Sequence, residues 1–200
     1  MVIISQIRTL NLVKTFIYYV SRVFVGTKTT LIKKKGVKFI YKNKSSFLFL
    51  GSKHNYNYPY KSYFLFEKNS IINFHKVKIY AGSKFFIGAG ATFSFKSGFI
   101  NYDSKVHCTE SISIGDNCYI GENFIIRDSD GHNVNNKKKS NPIIIGDNCW
   151  IGMRVTILPG TTIGNNSIVA AGSLVNKTFP DNVLIGGVPA KILKTNVNWK

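Results

Sequence analysis

From Ile145 onward an aliphatic residue returns at every sixth position: Ile145, Ile151, Ile157, Ile163, Val169 and Val175. The same beat runs earlier through Cys108, Ile114, Ile120 and Ile126, and more loosely through Ile87, Phe93 and Phe99. Glycine follows the aliphatic at Gly88, Gly115, Gly121, Gly146, Gly152 and Gly164. Two residues before it stand small side chains, at Ala91, Ser97, Cys118, Cys149, Thr161, Ser167 and Ser173, with Phe124 and Val155 as larger exceptions. A period of six fits neither a 3.6-residue helix nor a meander of hairpins, which needs turn chemistry at each reversal. It fits a coil of short flat strands: six residues make one side and turn a corner, and three sides close a triangle. The branched residue then fills the interior, the small one relieves crowding, and glycine eases the corner. Stacked coils pair their backbones as parallel strands. The expected class is all-β, a parallel β-helix of hexapeptide repeats.

The beat breaks twice. The step from Phe99 to Cys108 is nine, which places three extra residues near "NYDSKVH". The step from Ile126 to Ile145 is nineteen, read as one full coil plus one residue, and it contains "DSDGHNVNNKKKSNP". A solenoid tolerates insertions where the chain loops out, and such loops carry function. An excursion over 127–142 is therefore the first candidate for a site, and His132 is its titratable residue. An imidazole accepts and returns a proton near neutral pH.

Composition narrows the classes. Lys and Arg number 27 against 9 Asp and Glu, a formal charge of +18. That balance favours acidic partners, yet no nucleic-acid-binding motif accompanies it, so nucleic acid is not expected. Three cysteines without a CxxC pair argue against a disulfide framework, and four histidines with no close pair argue against zinc. Residues 1–75 read as an irregular region opening with an amphipathic helix. Leu10, Leu12, Val13, Phe16, Ile17, Val20, Val23 and Phe24 share one arc, and Arg8, Asn11, Lys14, Thr15, Ser21 and Arg22 share the other. Residues 3–24 are expected to pack on the protein or a neighbouring subunit, with an anionic membrane surface as the alternative. The remaining divisions are a coil over 76–180 and a tail over 181–200.

The segment "IGDNCWIGMRVTILPGTTIGNNSIVAAGSLVNKTFPDNVLIGGVPAKILK" resembles the C-terminal half of the hexapeptide-repeat acyltransferases, within them the galactoside, maltose and capsular-sugar O-acetyltransferases. The resemblance covers about residues 85–194. It implies a left-handed β-helix, a homotrimer, and acetyl-CoA bound in the cleft between adjacent subunits, with no metal. It implies a cytoplasmic enzyme, with the inner membrane face as the alternative site, that transfers acetyl directly to a hydroxyl of a sugar or glycan precursor in polysaccharide biosynthesis. The implied base is His132, in a "GH" before a polar loop and a proline, and the implied oxyanion donor is the backbone near Gly152 and Met153. Acceptor contacts are expected from Asn101, Asp128, Asp130 and Trp150, with His107 either pointing outward or lining the acceptor cleft. Donor contacts are expected from Ala171, Gly172, Lys177, Lys191 and Lys194. An amino sugar, an antibiotic or serine stays open as acceptor, and a non-catalytic structural solenoid is the reading of another class.

Overall fold

The computed structural model describes residues 22–52, 59–132 and 140–199, and the backbone alone of 17–18. Within these residues the chain winds as a parallel β-helix with three faces. The first face stacks Thr29–Lys33, Ser62–Phe66, Lys84–Ile87, Lys105–Cys108, Ile125–Arg127, Thr156–Ile157 and Leu174–Val175. The second holds Lys38–Tyr41, Ser111–Ile114, Ile143–Ile145, Thr162–Ile163 and Thr178–Phe179. The third holds Val23–Val25, Phe47–Ser52, Cys118–Ile120, Trp150–Ile151, Ile168–Val169 and Val183–Gly187. Two long strands, Ile71–Tyr80 and Thr92–Ile100, bend from the second face onto the third and join them into one sheet. Ala190–Thr195 folds back antiparallel on Val183–Gly187 and closes the upper end.

Register lines up the interior in columns. On the first face Phe64, Phe85, Val106, Ile126, Ile157 and Val175 stack in turn. On the second the column is Phe74, Phe95, Ile114, Ile145, Ile163 and Phe179. On the third it is Ile79, Ile100, Ile120, Ile151, Val169 and Ile185. All of these are buried, and each full burial is worth about 1.5–3 kcal/mol. Phenylalanine fills the lower coils, where partners on the first face lie twenty-one residues apart; isoleucine and valine suffice where they lie eighteen apart. A longer turn encloses more volume, and close packing demands a larger side chain to fill it.

Several expectations change here. The region read as irregular continues the same sheets: Ser62–Phe66 pairs in parallel with both Thr29–Lys33 and Lys84–Ile87. The strand pairing shows no break at 75. The helix expected over 3–24 is strand where it is described. Ile17–Tyr18 pairs antiparallel with Val23–Val25, Arg22 is in a turn, and residues 3–16 and 19–21 lie outside the described residues. No helix among the described residues is long and apolar enough to cross a membrane. Phe99 is not an interior position. It pairs with Tyr119 and stacks on it outside the coil with centroids 5.0 Å apart, while Ile100 turns inward. Cys108 is buried, but the column runs through Val106.

The corners depend on asparagine as much as glycine. Asn117, Asn148, Asn166 and Asn182 all hold φ between 53° and 61°, a left-handed conformation that asparagine tolerates better than most residues. Their amides form a ladder, Asn117 donating to Asn148, Asn148 to Asn166, and Asn166 to Asn182, at 3.2–3.3 Å. Beside it the backbone N–H groups of Asp116, Asp147 and Asn165 each donate 2.8 Å to the side chain of the next coil, at Asp147, Asn165 and Asp181. The glycines that follow the aliphatics are required for close approach. A Cβ at Gly121 would lie 2.6 Å from Met153 N, and one at Gly152 would lie 2.6 Å from Ala171 N.

Candidate active site

The excursion leaves the coil at the corner between the first and second faces. Ile126 stacks under Ile157 and Ile114 under Ile145, each thirty-one residues on, where an uninterrupted coil takes about eighteen. The extra residues thus sit in one corner, and no coil is skipped; the spacing of nineteen was a single side plus an insertion. Such an insertion robs the corner below of its backbone partners. Asp128 replaces them. Its Oδ1 accepts from the Thr109 N–H at 2.8 Å and the Thr109 hydroxyl at 2.9 Å. Its Oδ2 accepts from the N–H groups of Glu110 at 2.7 Å and Ser111 at 2.9 Å. Asp128 is wholly buried, so the expected contact with an acceptor is corrected: its carboxylate is consumed in anchoring the loop.

Further bonds tie the base of the excursion. The Asn141 N–H donates to the Asp128 carbonyl at 2.8 Å, Ser129 and Ser140 form an antiparallel bridge, and the Ser140 hydroxyl donates to Glu110 at 2.5 Å. Arg127 Nε donates to the Ser129 carbonyl at 2.8 Å. The Gly131 N–H donates to Ser129 Oγ at 3.1 Å, with φ 78° at the glycine. His132 follows, exposed, at this edge. Asp130, also exposed, stands two residues before it.

The remaining sequence candidates fall on other parts of the prism. Asn101, Gly152, Met153, Ala171 and Gly172 share the corner between the third and first faces. The Asn101 N–H donates to the Ile120 carbonyl, the Gly152 N–H to that of Val169, and the Gly172 N–H to that of Met153 at 2.9 Å. Asn101 Oδ1 accepts from the Tyr102 N–H at 2.9 Å. Lys177 lies near the His132 edge, with Nζ 5.5 Å from the Phe179 ring centroid. Lys191 and Lys194 are exposed on the terminal antiparallel strand. Trp150 points out of the third face, so within one chain it does not face the excursion. The C-terminal Trp199 packs against it, with ring centroids 6.0 Å apart, and donates its Nε1 hydrogen to the Asn148 carbonyl at 2.8 Å. Sequence reading missed Trp199, which lies beyond the repeat and carries no periodic signal.

Between the two candidate edges lies the outer surface of the first face. Two outward columns, Tyr63–Lys84–Lys105–Ile125 and Leu65–Phe86–His107–Arg127, line a groove of about 340 Å³. Phe86 stacks on His107 with centroids 4.8 Å apart. Burial pushes the His107 imidazole below its ordinary range, the Arg127 guanidinium pushes the same way, and Asp128 pulls weakly against them. Burial raises the thiol of Cys108, and the hydrogen bond with Cys149, with burial added, raises that of Cys118, so neither is a thiolate nucleophile near neutral pH. All three cysteines are free and buried. Among the described residues no cluster of His, Cys, Asp or Glu is arranged to hold a metal.

Residues 142–177 match the bacterial transferase hexapeptide (six repeats), and residues 106–127 match the hexapeptide repeat of succinyl-transferase. Both matched stretches lie within the coil. Over 102 residues the chain is 36% identical to the galactoside O-acetyltransferase of Escherichia coli K12, covering 48% of this chain and 50% of that one. Over 124 residues it is 36% identical to the polysialic acid O-acetyltransferase of Escherichia coli O1:K1, covering 59% and 38%. The chain spans about half the length of the relatives it matches. A crystal structure of a hexapeptide transferase family protein from Anaplasma phagocytophilum aligns over 80% of each chain, with TM-score 0.55 and 20% identity. The hexapeptide-repeat coil is thus the left-handed parallel β-helix, and the excursion, with its histidine, interrupts that coil.

Proposed function

We propose that this chain is an acetyl-CoA-dependent O-acetyltransferase acting in the cytoplasm on a hydroxyl of a sugar or glycan precursor. The observation that carries the reading is the corner insertion of a transferase-type coil, held down by Asp128, with His132 at its exposed edge. An alcohol is a poor nucleophile while protonated. His132 takes the proton as the hydroxyl oxygen bonds to the thioester carbonyl carbon. Charge gathers on the carbonyl oxygen and is met by the backbone N–H of Met153, since the Gly152 N–H is already given to the Val169 carbonyl. The C–S bond then breaks, the thiol of CoA leaves with the proton held by His132, and the acetyl ester remains on the sugar. Asn101, Asp130 and Trp150 are the proposed acceptor contacts. Ala171, Gly172, Lys177, Lys191 and Lys194 serve the pantetheine arm and phosphates of the donor.

One chain does not assemble this set. His132 stands at one edge of the first face and Gly152, Met153, Ala171 and Gly172 at the other. A homotrimer, with the edge of one subunit against the opposite edge of the next, closes the site and satisfies the closed symmetry common to oligomers. The test is His132→Ala. Thiol release from acetyl-CoA with a panel of sugars is expected to fall by about 10²–10⁴, with the circular dichroism spectrum and oligomer mass unchanged. Near-normal turnover in a folded assembly would remove His132 from the chemistry.

A further inference from the structure

We propose that the groove on the first face is the acceptor subsite and that the acceptor it takes is an acidic sugar. This rests on the transferase reading above and specifies its substrate class. The groove floor is apolar: Leu65, Phe86 and Ile125 contribute side chains, and His107 lies flat on Phe86. A pyranose presents an apolar face that suits such a floor. Around it stand Lys84, Lys105 and Arg127, and none of the lining residues is acidic. The nearest carboxylate in sequence, Asp128, is buried and already accepts four hydrogen bonds.

A chain carrying 27 cations has positive patches everywhere, so the charges alone decide nothing. Two further observations do. Arg127 is held in place by its Nε bond to Ser129, while Nη1 and Nη2 have no partner among the described residues. A guanidinium fixed at one nitrogen and open at the other two is arranged for bidentate capture of a carboxylate or phosphate. Beside it the His107 ring, stacked on Phe86 with centroids 4.8 Å apart, gives the groove a fixed aromatic surface for the sugar's apolar face. Both groups adjoin the corner that carries His132, so an anion seated there holds the sugar's hydroxyls beside the proposed base. The groove volume is at the small end of ligand sites, which suits one or two sugar units.

The test has a binding arm and a transfer arm. Calorimetry on the intact protein compares sialic acid oligomers, galactose 1-phosphate and neutral galactose oligomers. The proposal expects the anionic probes to bind at least about tenfold more tightly than the neutral one, and to weaken as salt rises. Preference between the carboxylate and the phosphate identifies which anion the acceptor bears. Lys105→Gln, an exposed change with no fold cost, is expected to raise KM for the anionic acceptor several-fold at unchanged kcat, and Arg127→Gln to raise it further. Equal affinity for neutral and anionic probes overturns the proposal, as does a Lys105→Gln variant that changes oligomeric state instead of KM. Tight anion binding without any acetyl transfer would retain the acidic-sugar groove and sink the transferase reading. Transfer to neutral sugars alone would do the reverse.

Discussion

Asp128 has the clearest energetic role of any single residue. Its carboxylate ends three backbone N–H groups and one hydroxyl at a corner whose ordinary partner strand has been displaced by the insertion. Asp128→Ala leaves those donors unpaired in a buried place and is expected to lower unfolding free energy by about 3 kcal/mol, read from urea titration. His107 is the residue whose protonation couples to stability. Its folded pKa lies below 6.5, so the unfolded chain binds the extra proton first as pH falls. Its contribution is full above pH 6.5, declines as pH falls from there to the folded pKa, and is flat below. The offset between the Tm–pH profiles of His107→Gln and the parent protein should therefore change between the folded pKa and pH 6.5, with the parent losing ground as pH falls, and stay constant above pH 6.5. Profiles parallel over the whole range would show that burial does not depress this imidazole.

The elements of the coil are strands of two to four residues in its upper half, too short to be stable alone. Neighbouring coils hold them, which explains why the glycines matter through contact. A Cβ at Gly121 would press on the backbone of Gly152 and Met153 at 2.6–2.9 Å, and backbone cannot step aside. Gly90, by contrast, has a left-handed φ of 71°, and nothing lies within 4 Å of its missing Cβ. Gly90→Ala is thus expected to cost only the left-handed penalty of about 1 kcal/mol, and Gly121→Ala about 2–3 kcal/mol. Thermal unfolding of the two variants side by side checks the order; an equal loss would mean that close approach is not what selects glycine after the aliphatic. On the outer surface of the third face Trp199 packs over Tyr119 and Trp150, so the tail adds an aromatic cover that no repeat encodes.

For the whole molecule, the separation of the two candidate edges makes a prediction about assembly. If each site takes His132 from one subunit and Asn101 from the next, two impaired chains can rescue each other. Mixed assemblies of His132→Ala and Asn101→Ala subunits, refolded at equal ratio, should recover about a quarter of the parental turnover, since one site in four pairs two intact edges. No recovery would place both residues in a site belonging to one chain.

The upper coil was legible from spacing alone because its interior column falls on six-residue sides, with Ile145 through Val175 in strict order. The lower coils were not. Their turns run near twenty-one residues, their strands bend round corners, and phenylalanine fills them, so the period dissolves although the architecture continues. The N-terminal arc of apolar residues suited a helix by local pattern, yet Ile17–Tyr18 and Val23–Val25 found strand partners, and tertiary pairing outweighed propensity. The sequence by itself determined the repeat, the corner glycines and the place of the histidine-bearing insertion, since each is a matter of order along the chain. Which edge each candidate occupies, the burial of Asp128, the outward stack of Phe99 and the cationic groove around His107 depend on which coils lie above and below. That is decided by strand register between residues about twenty apart, a quantity no local pattern contains.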